Sequence, residues 1–177
     1  MRVLLCSVPD GALDSYHAYR PLIPRGKNTR YPPLPLGVVR VLDVMEQNGH
    51  NGDIYDINNL RHTDEEIIKN FKKYEPDVIG LSGTLSHCYP HMKRVIKIIR
   101  DLFPKTWVVI GGNISASANV LLSKTDTDIC VVGDGELPFI KLLDYIKLNC
   151  DRTKLNYTAL NEIRGLAFVD KNNQLKL

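Results

Sequence analysis

Short apolar runs alternate with segments of helical period along most of this chain of 177 residues, and that order limits its possible folds. Three of the five strand-like runs are nearly continuous in apolar residues and lack the alternation of a half-exposed strand. Continuous runs of this kind are typical of parallel strands that are buried on both faces. The five runs are VLLCSV (3–8), DIYDI (53–57), DVIGLSG (77–83), WVVIGG (107–112) and DICVVG (128–133).

Amphipathic segments separate these runs. In residues 92–103, apolar residues recur every three or four positions and basic residues take the other face. Thr63 and Glu66 form a capping-box pattern ahead of a second helix, and further helices are predicted over 38–45 and 137–148. A weaker helix follows Ser115. This order predicts an α/β fold: a doubly wound (Rossmann-like or flavodoxin-like) open sheet of five parallel strands with helices on both faces.

Two segments depart from the alternation. Residues 10–36 contain five prolines and no clear period, and a loop of that length in a compact domain is usually functional or disordered. The stretches RGLAFVD and QLKL, on either side of Lys171-Asn172-Asn173, predict a small C-terminal hairpin. We therefore expect a main domain over residues 1–150, followed by the hairpin and the start of a linker over 151–177.

Composition argues against several classes of partner. The net charge is only +3 and the basic residues are scattered, which disfavours nucleic acid. No apolar run approaches the roughly 20 residues that a membrane span needs. The four cysteines are far apart and form no CxxC pair, so we expect a reduced, cytoplasmic protein without a thiolate metal site. They are Cys6, Cys88, Cys130 and Cys150.

Glycines at three strand ends indicate a ligand site. In an open parallel sheet, ligands bind beyond the carboxyl ends of the strands. Here three of those ends read GLSGTLS, GGNIS and GDGE, and glycine lets a ligand approach the backbone closely. A single glycine there is as readily explained by a tight turn, but three such ends side by side favour a ligand.

The common nucleotide motifs do not identify that ligand. The first strand is followed by PDGALD, which lacks the dinucleotide fingerprint GxGxxG, and the chain has no GxxxxGK[ST] phosphate loop. The same stretch is a poor version of a flavodoxin phosphate loop. A flavin- or nucleotide-binding domain is therefore disfavoured.

An ordered set of motifs resembles a known family. PPLPLGVVRVLDVMEQNGH, YEPDVIGLSG, WVVIGGN and DICVVGDGELPF together resemble the cobalamin-binding domain that precedes the catalytic barrel in many radical S-adenosylmethionine enzymes. The resemblance covers about residues 1–140, and EIRGLAFVD resembles the small hairpin that this family carries next. It implies that residues 151–177 lead toward a radical S-adenosylmethionine barrel that is absent from this sequence.

The broader cobalamin-binding family implies which residues hold the cofactor. Its Ser-x-Leu and Gly-Gly motifs, which hold the nucleotide tail, correspond to Ser82-Gly83-Thr84 and Gly111-Gly112, with Thr84 in place of the leucine. Gly111 and Gly112 would then be bare because the dimethylbenzimidazole lies against them. Asp134 and Glu136 would bond ligand hydroxyls or amides, or cap the next helix. The implied cofactor-binding residues are Ser82, Gly83, Thr84, Gly111, Gly112, Asn113, Gly133, Asp134, Gly135 and Glu136.

The cobalt-ligating motif of the broader family, Asp-x-His-x-x-Gly, does not occur here. His17 lies in the corresponding loop, but its surroundings, DSYHAYR, do not match the motif. The radical S-adenosylmethionine branch commonly lacks this histidine too. The resemblance therefore implies cobalamin without a protein histidine on cobalt, with the benzimidazole off the metal, and we predict no metal-ligating and no catalytic residue.

Three functions follow as alternatives. The chain has no CxxxCxxC motif for a [4Fe–4S] cluster, so it is not expected to perform a radical step alone. In the first, it presents cobalamin to a radical S-adenosylmethionine domain for methyl transfer or a radical rearrangement, and S-adenosylmethionine and the cluster belong to that missing domain. In the second, it is a degenerate partner-binding or sensing module that has lost the cofactor. The third is the disfavoured flavin or nucleotide domain.

Overall fold

Strands and helices alternate in the computed structural model, which describes residues 1–9, 34–84 and 86–177. The strands are β1 (Val3–Ser7), β2 (Gly52–Asp56), β3 (Val78–Ser82), β4 (Trp107–Gly111), β5 (Ile129–Val131), β6 (Leu166–Val169) and β7 (Leu175–Lys176). The α-helices are α1 (Leu36–Gln47), α2 (Ile57–Leu60), α3 (Asp64–Tyr74), α4 (Tyr89–Leu102), α5 (Ala118–Lys124), α6 (Glu136–Leu148) and α7 (Tyr157–Asn161). Most of the predicted proline-rich loop, with His17, lies outside the described residues.

The strands form one sheet in the order β2-β1-β3-β4-β5-β6-β7. Strands β1 to β5 are parallel, as predicted. The predicted C-terminal hairpin is present, but it extends the sheet from the five predicted strands to seven, because β6 pairs antiparallel with β5 and β7 pairs antiparallel with β6. The hairpin covers the edge of β5, which would otherwise present unpaired backbone groups, and it buries Leu166 and Phe168.

Helices cover both faces of the sheet, which confirms the doubly wound prediction. Alternate strand residues point to opposite faces. On one face, α1 and α6 pack over Val3, Leu5, Val78, Val109 and Val131. We call this the α1/α6 face. On the other face, α3, α4 and α5 pack over a second core. That core includes Leu4, Ile79, Leu81, Val108 and Ile110.

Local signals set several helix starts. The capping box predicted from Thr63 and Glu66 is present: Thr63 Oγ1 accepts from the Glu66 N–H, and Glu66 accepts from the Thr63 N–H. Ile57 was predicted to end the second strand but instead begins α2, because the Asp56 carboxylate accepts from the Asn59 N–H and caps a helix there. In the described residues, no helix is long and apolar enough to cross a membrane.

The far end of the sheet is fastened by a buried carboxylate. Asp128 accepts from the Val108 N–H and from both Arg100 and Arg152, with the closest oxygen–nitrogen distances at 2.7 Å. Its side chain is 5% exposed. Since Arg100 lies on α4 and Arg152 follows α6, this carboxylate joins elements from both faces at the edge opposite the carboxyl ends.

A buried histidine links α1 to α6 and predicts a pH dependence of stability. His50 is 3% exposed, and its Nε2 lies 3.0 Å from Asp144 Oδ1 without hydrogen-bond alignment. Burial, and then the charge of Lys147, lower the pKa of His50, against an opposing effect of Asp144. The unfolded chain therefore binds the proton more readily, and stability is lost as the pH falls below about 6.5.

When the pH is lowered from 7.5 to 5.5, we expect the free energy of unfolding to fall less in the His50→Gln variant than in the parent chain. Urea unfolding at both values measures this difference, and the other titrating groups are shared by the two chains. Equal losses in the two chains would show that His50 does not contribute to the pH dependence.

Candidate ligand-binding cleft

A cleft of about 200 Å³ opens between α1 and α6 at the carboxyl end of the sheet. Two rows of residues on the α1/α6 face form its floor. Within each row, the strand register places the residues side by side on neighbouring strands. The upper row contains Ser82 and Gly111, which are paired across β3 and β4. The lower row contains Leu5, Gly80 and Val109. The cleft thus lies over the junction of β1 and β3, where the order of connection reverses and ligands bind in such sheets.

Glycine residues leave this space open. A Cβ placed at Gly111 would meet no atom within 4 Å, and the same is true at Gly37 and Gly133. All three glycines line the cleft, one each from β4, α1 and the turn after β5. A larger residue at these positions would project into the opening. At Gly133 a φ of +85° also favours glycine on backbone grounds, whereas no positive φ accounts for Gly37 or Gly111.

Gly112 has a different role from its neighbour Gly111. Its φ is +80°, and a Cβ there would lie 2.6 Å from the Gly83 carbonyl oxygen and 3.1 Å from Ser82 Oγ. A positive φ combined with contact to a backbone atom demands glycine whether or not a ligand is present. Gly112 therefore allows the turn after β4, whereas Gly111 leaves room for an occupant.

The walls of the cleft are hydrocarbon. Val38, Val41 and Phe139 face it from the helices, and Leu5, Val109 and Val131 face it from the strands. Phe139 and Val131 are 4% and 3% exposed, so both are packed in place before any ligand enters. The Ser82 hydroxyl adds a donor and acceptor at the upper row.

The mouth of the cleft is acidic and is bridged by an ion pair. Asp134 and Glu136 line it, and Glu136 lies in the first turn of α6, where the helix dipole favours a negative charge. Arg40 Nε on α1 lies 2.6 Å from Glu136 Oε1, so the pair joins the two flanking helices. The N-cap position of α6 is Gly135, which has no side chain to cap the helix, so the capping role predicted as an alternative for Asp134 and Glu136 stays a prediction.

The structure brings seven of the ten sequence-predicted site residues together in this cleft. They are Ser82, Gly111, Gly112, Gly133, Asp134, Gly135 and Glu136. The other three do not line it. Gly83 faces the opposite side, since a Cβ there would lie 3.1 Å from both Ile114 and Met92. Thr84 and Asn113 are exposed outside the cleft.

Sequence reasoning missed eight cleft residues, most of them apolar. Three of them share the alternation of Ser82 and Gly111, so a period of two along β1, β3 and β4 would have indicated them: Leu5, Gly80 and Val109. Gly37 stands in the PPLPLG stretch that carried the resemblance. Val131 continues the same alternation on β5, two residues after Ile129, which pairs with Val109. The remaining three are Val38, Val41 and Phe139, and they depend on how the helices pack.

Within residues 1–9, 34–84 and 86–177, no three His, Cys, Asp or Glu side chains gather into a group that could hold a metal ion. Burial raises the pKa of the Cys130 thiol to about 12, and it raises the pKa of Cys6 as well, so both behave as core hydrophobes.

The sequence model of the B12 binding domain matches residues 25–143, about two thirds of the chain. The chain belongs to the B12 binding domain family. The matched segment contains all the cleft residues except Leu5, including the three open glycines. In this B12 binding domain, therefore, the family segment and the cleft coincide.

Known proteins with similar sequences or folds are larger. The cytidylyl-2-hydroxyethylphosphonate methyltransferase of Streptomyces wedmorensis is 24% identical over 78% of this chain, which spans 26% of that protein. The cobalamin-dependent S-adenosylmethionine radical enzyme OxsB has a similar fold, with a TM-score of 0.67 and 19% identity over 99% of this chain and 21% of its own. The methanol:cobalamin methyltransferase complex MtaBC of Methanosarcina barkeri also has a similar fold, with a TM-score of 0.58 and 16% sequence identity. That match covers 91% of this chain and 50% of the MtaBC chain.

The paired glycines allow a matched test of the two roles. We expect Gly112→Ala to lower the free energy of unfolding by more than about 1 kcal/mol, because it forces a positive φ and a backbone contact. We expect Gly111→Ala to change it by less than about 0.5 kcal/mol, because its Cβ enters open space. Urea unfolding of the two variants measures both values. The reverse order would contradict this division of roles.

Proposed function

We propose that this chain holds cobalamin with the nucleotide tail in the cleft between α1 and α6 and the corrin ring over the carboxyl edge of the sheet. The observation that carries the proposal is the open cradle at Gly37, Gly111 and Gly133 above an apolar floor. Membership of the B12 binding domain family supports it.

The size of the cleft fits one part of the cofactor. Sites that enclose a whole drug-sized ligand measure about 300–1,000 Å³. At about 200 Å³, this cleft has room for one flat ring system and too little for a corrin macrocycle. The corrin would therefore lie outside, against the strand ends, while the base of the tail enters between the helices.

The residues present supply the contacts that such a tail requires. The apolar walls cover the two faces of an aromatic base, and the Ser82 hydroxyl can donate to a ring nitrogen at the upper row. Asp134 and Glu136 at the mouth can accept hydrogen bonds from the amide side chains of a corrin. A base held in the cleft is not on the cobalt, so we expect the benzimidazole to be off the metal, and we assign no protein ligand to cobalt.

The similar proteins suggest the larger setting. One relative is a methyltransferase, and one protein of similar fold is a cobalamin-dependent radical enzyme that uses S-adenosylmethionine. We place the chain as the cofactor domain of such an enzyme, for methyl transfer or a radical rearrangement. The corrinoid supplies a cobalt centre that can carry an alkyl group, whereas S-adenosylmethionine and a [4Fe–4S] cluster belong to a separate catalytic domain.

The degenerate-module alternative gains no support from the cleft. It is based on Thr84 in place of the family leucine and on the missing cobalt-ligating histidine motif. Thr84 is exposed and does not line the cleft. That replacement therefore leaves the walls and the open glycines unchanged.

Retention of the corrinoid tests the proposal. The purified chain is incubated with hydroxocobalamin, desalted and examined by visible spectroscopy. We expect a retained corrin chromophore with the bands of a base-off species. Gly111→Trp should abolish retention because the indole fills the cradle. Leu148→Trp is the matched control, since Leu148 is 86% exposed at the end of α6, and it should retain the corrin.

Failure of the parent chain to retain corrin would contradict the proposed function. Retention by Gly111→Trp equal to that of the parent chain would instead contradict the placement of the tail in the cleft.

A further inference from the structure

We propose that the cleft selects among corrinoids by the polarity of the tail base, and that it prefers an apolar base such as dimethylbenzimidazole over a purine such as adenine. This inference rests on the proposed function, because it concerns the occupant of the same cleft. It is carried by the distribution of polar groups along the depth of the cleft.

The floor of the cleft offers carbon atoms and backbone groups that already have partners. A Cβ at Gly80 would lie 2.7 Å from Leu5 Cδ2 and 3.6 Å from Phe139 Cζ, so these two side chains close the bottom. Leu5, Gly80 and Val109 sit in the middle of paired parallel strands, where the ladder uses their N–H and C=O groups. A ring that reaches this level therefore meets hydrocarbon.

The side walls of the cleft also offer few hydrogen-bonding groups to a ligand. Val41 Cγ2 and Val131 Cγ1 lie 3.9 and 3.8 Å from the position of a Cβ at Gly135, so apolar side chains from α1 and β5 meet beside Gly135 on the cleft wall. Among the described residues that line the cleft, the polar side chains are Ser82, Asp134 and Glu136. Asp134 is exposed, and Glu136, whose side chain is 20% exposed, is paired with Arg40, which leaves the Ser82 hydroxyl to serve a base inside.

A buried purine has more hydrogen-bonding groups than the single Ser82 hydroxyl can satisfy. Adenine carries an exocyclic amine and additional ring nitrogens, and each one buried without a partner lowers affinity. Dimethylbenzimidazole instead presents two methyl groups to the Leu5, Val109 and Phe139 side chains. We expect the adenine-tailed corrinoid to bind at least tenfold more weakly, which corresponds to about 1.4 kcal/mol.

Spectral titration of the full chain with three corrinoids tests this preference. The three are hydroxocobalamin, its analogue with adenine in place of dimethylbenzimidazole, and cobinamide, which has no nucleotide tail. We expect hydroxocobalamin to bind most tightly and cobinamide most weakly. Equal dissociation constants for the two tailed corrinoids, with cobinamide much weaker, would overturn the selectivity alone.

The other outcomes bear on the proposed function. If cobinamide binds as tightly as hydroxocobalamin, the tail does not use the cleft. If none of the three corrinoids binds, the chain does not hold cobalamin. Either result would overturn the selectivity together with the function on which it rests.

A matched pair of variants tests whether the wall sets the preference. Val41→Asn places an amide on the cleft wall and should narrow the ratio of the two dissociation constants several-fold by giving the purine a partner. Val39→Asn is the control, because Val39 lies on the same helix, is 44% exposed and does not line the cleft. A ratio unchanged in Val41→Asn, or narrowed equally in both variants, would contradict this assignment.

Discussion

The absence of side chains at the centre of the sheet's carboxyl edge is the constraint on which the rest of the structure depends. A parallel sheet must be covered on both faces, and here α1 and α6 cover one of them. These two helices pack closely where strand side chains fill the space beneath them, at Val3, Val78 and Trp107. Toward the carboxyl edge the floor changes to Gly80 and Gly111, and the space between the helices is left open. The same packing that closes the core below thus leaves a cleft above it.

The two helices that border the cleft are joined mainly by their apolar faces. Val38 and Met45 of α1 and Phe139 of α6 belong to one buried cluster. The Arg40–Glu136 ion pair joins the helices beside the cleft, and near the other end the buried His50, which follows α1, lies 3.0 Å from Asp144 of α6. The Arg40 side chain is 75% exposed and that of Glu136 is 20% exposed, so solvent screens the pair only in part. The apolar core below holds the helices in place.

The fold could be predicted largely from local patterns, whereas the site could be predicted only in part. Short apolar runs, three of them nearly continuous, predicted the five parallel strands, and the Thr63–Glu66 spacing predicted a helix start, because both signals reside in neighbouring residues. The pairing of β6 with β5 was missed because it joins segments that are distant in sequence. Gly83 was carried over from a motif, but its place directly after β3 turns it to the opposite face. The difference between Gly111 and Gly112 depends on the φ angle of Gly112 and on the position of the Gly83 carbonyl oxygen, and neither can be read from the amino-acid sequence.

The central claim is that the tail base of cobalamin lies in the cleft between α1 and α6, and methyl NMR tests it most directly. The chain would be labelled with ¹³C at its valine methyl groups and saturated with hydroxocobalamin, and nuclear Overhauser effects from the benzimidazole protons would be recorded. We expect contacts to Val41, Val109 and Val131, which line the cleft. Contacts to Val95 or Val120 on the opposite side of the sheet, or bound corrin with no contact to any cleft valine, would contradict the account.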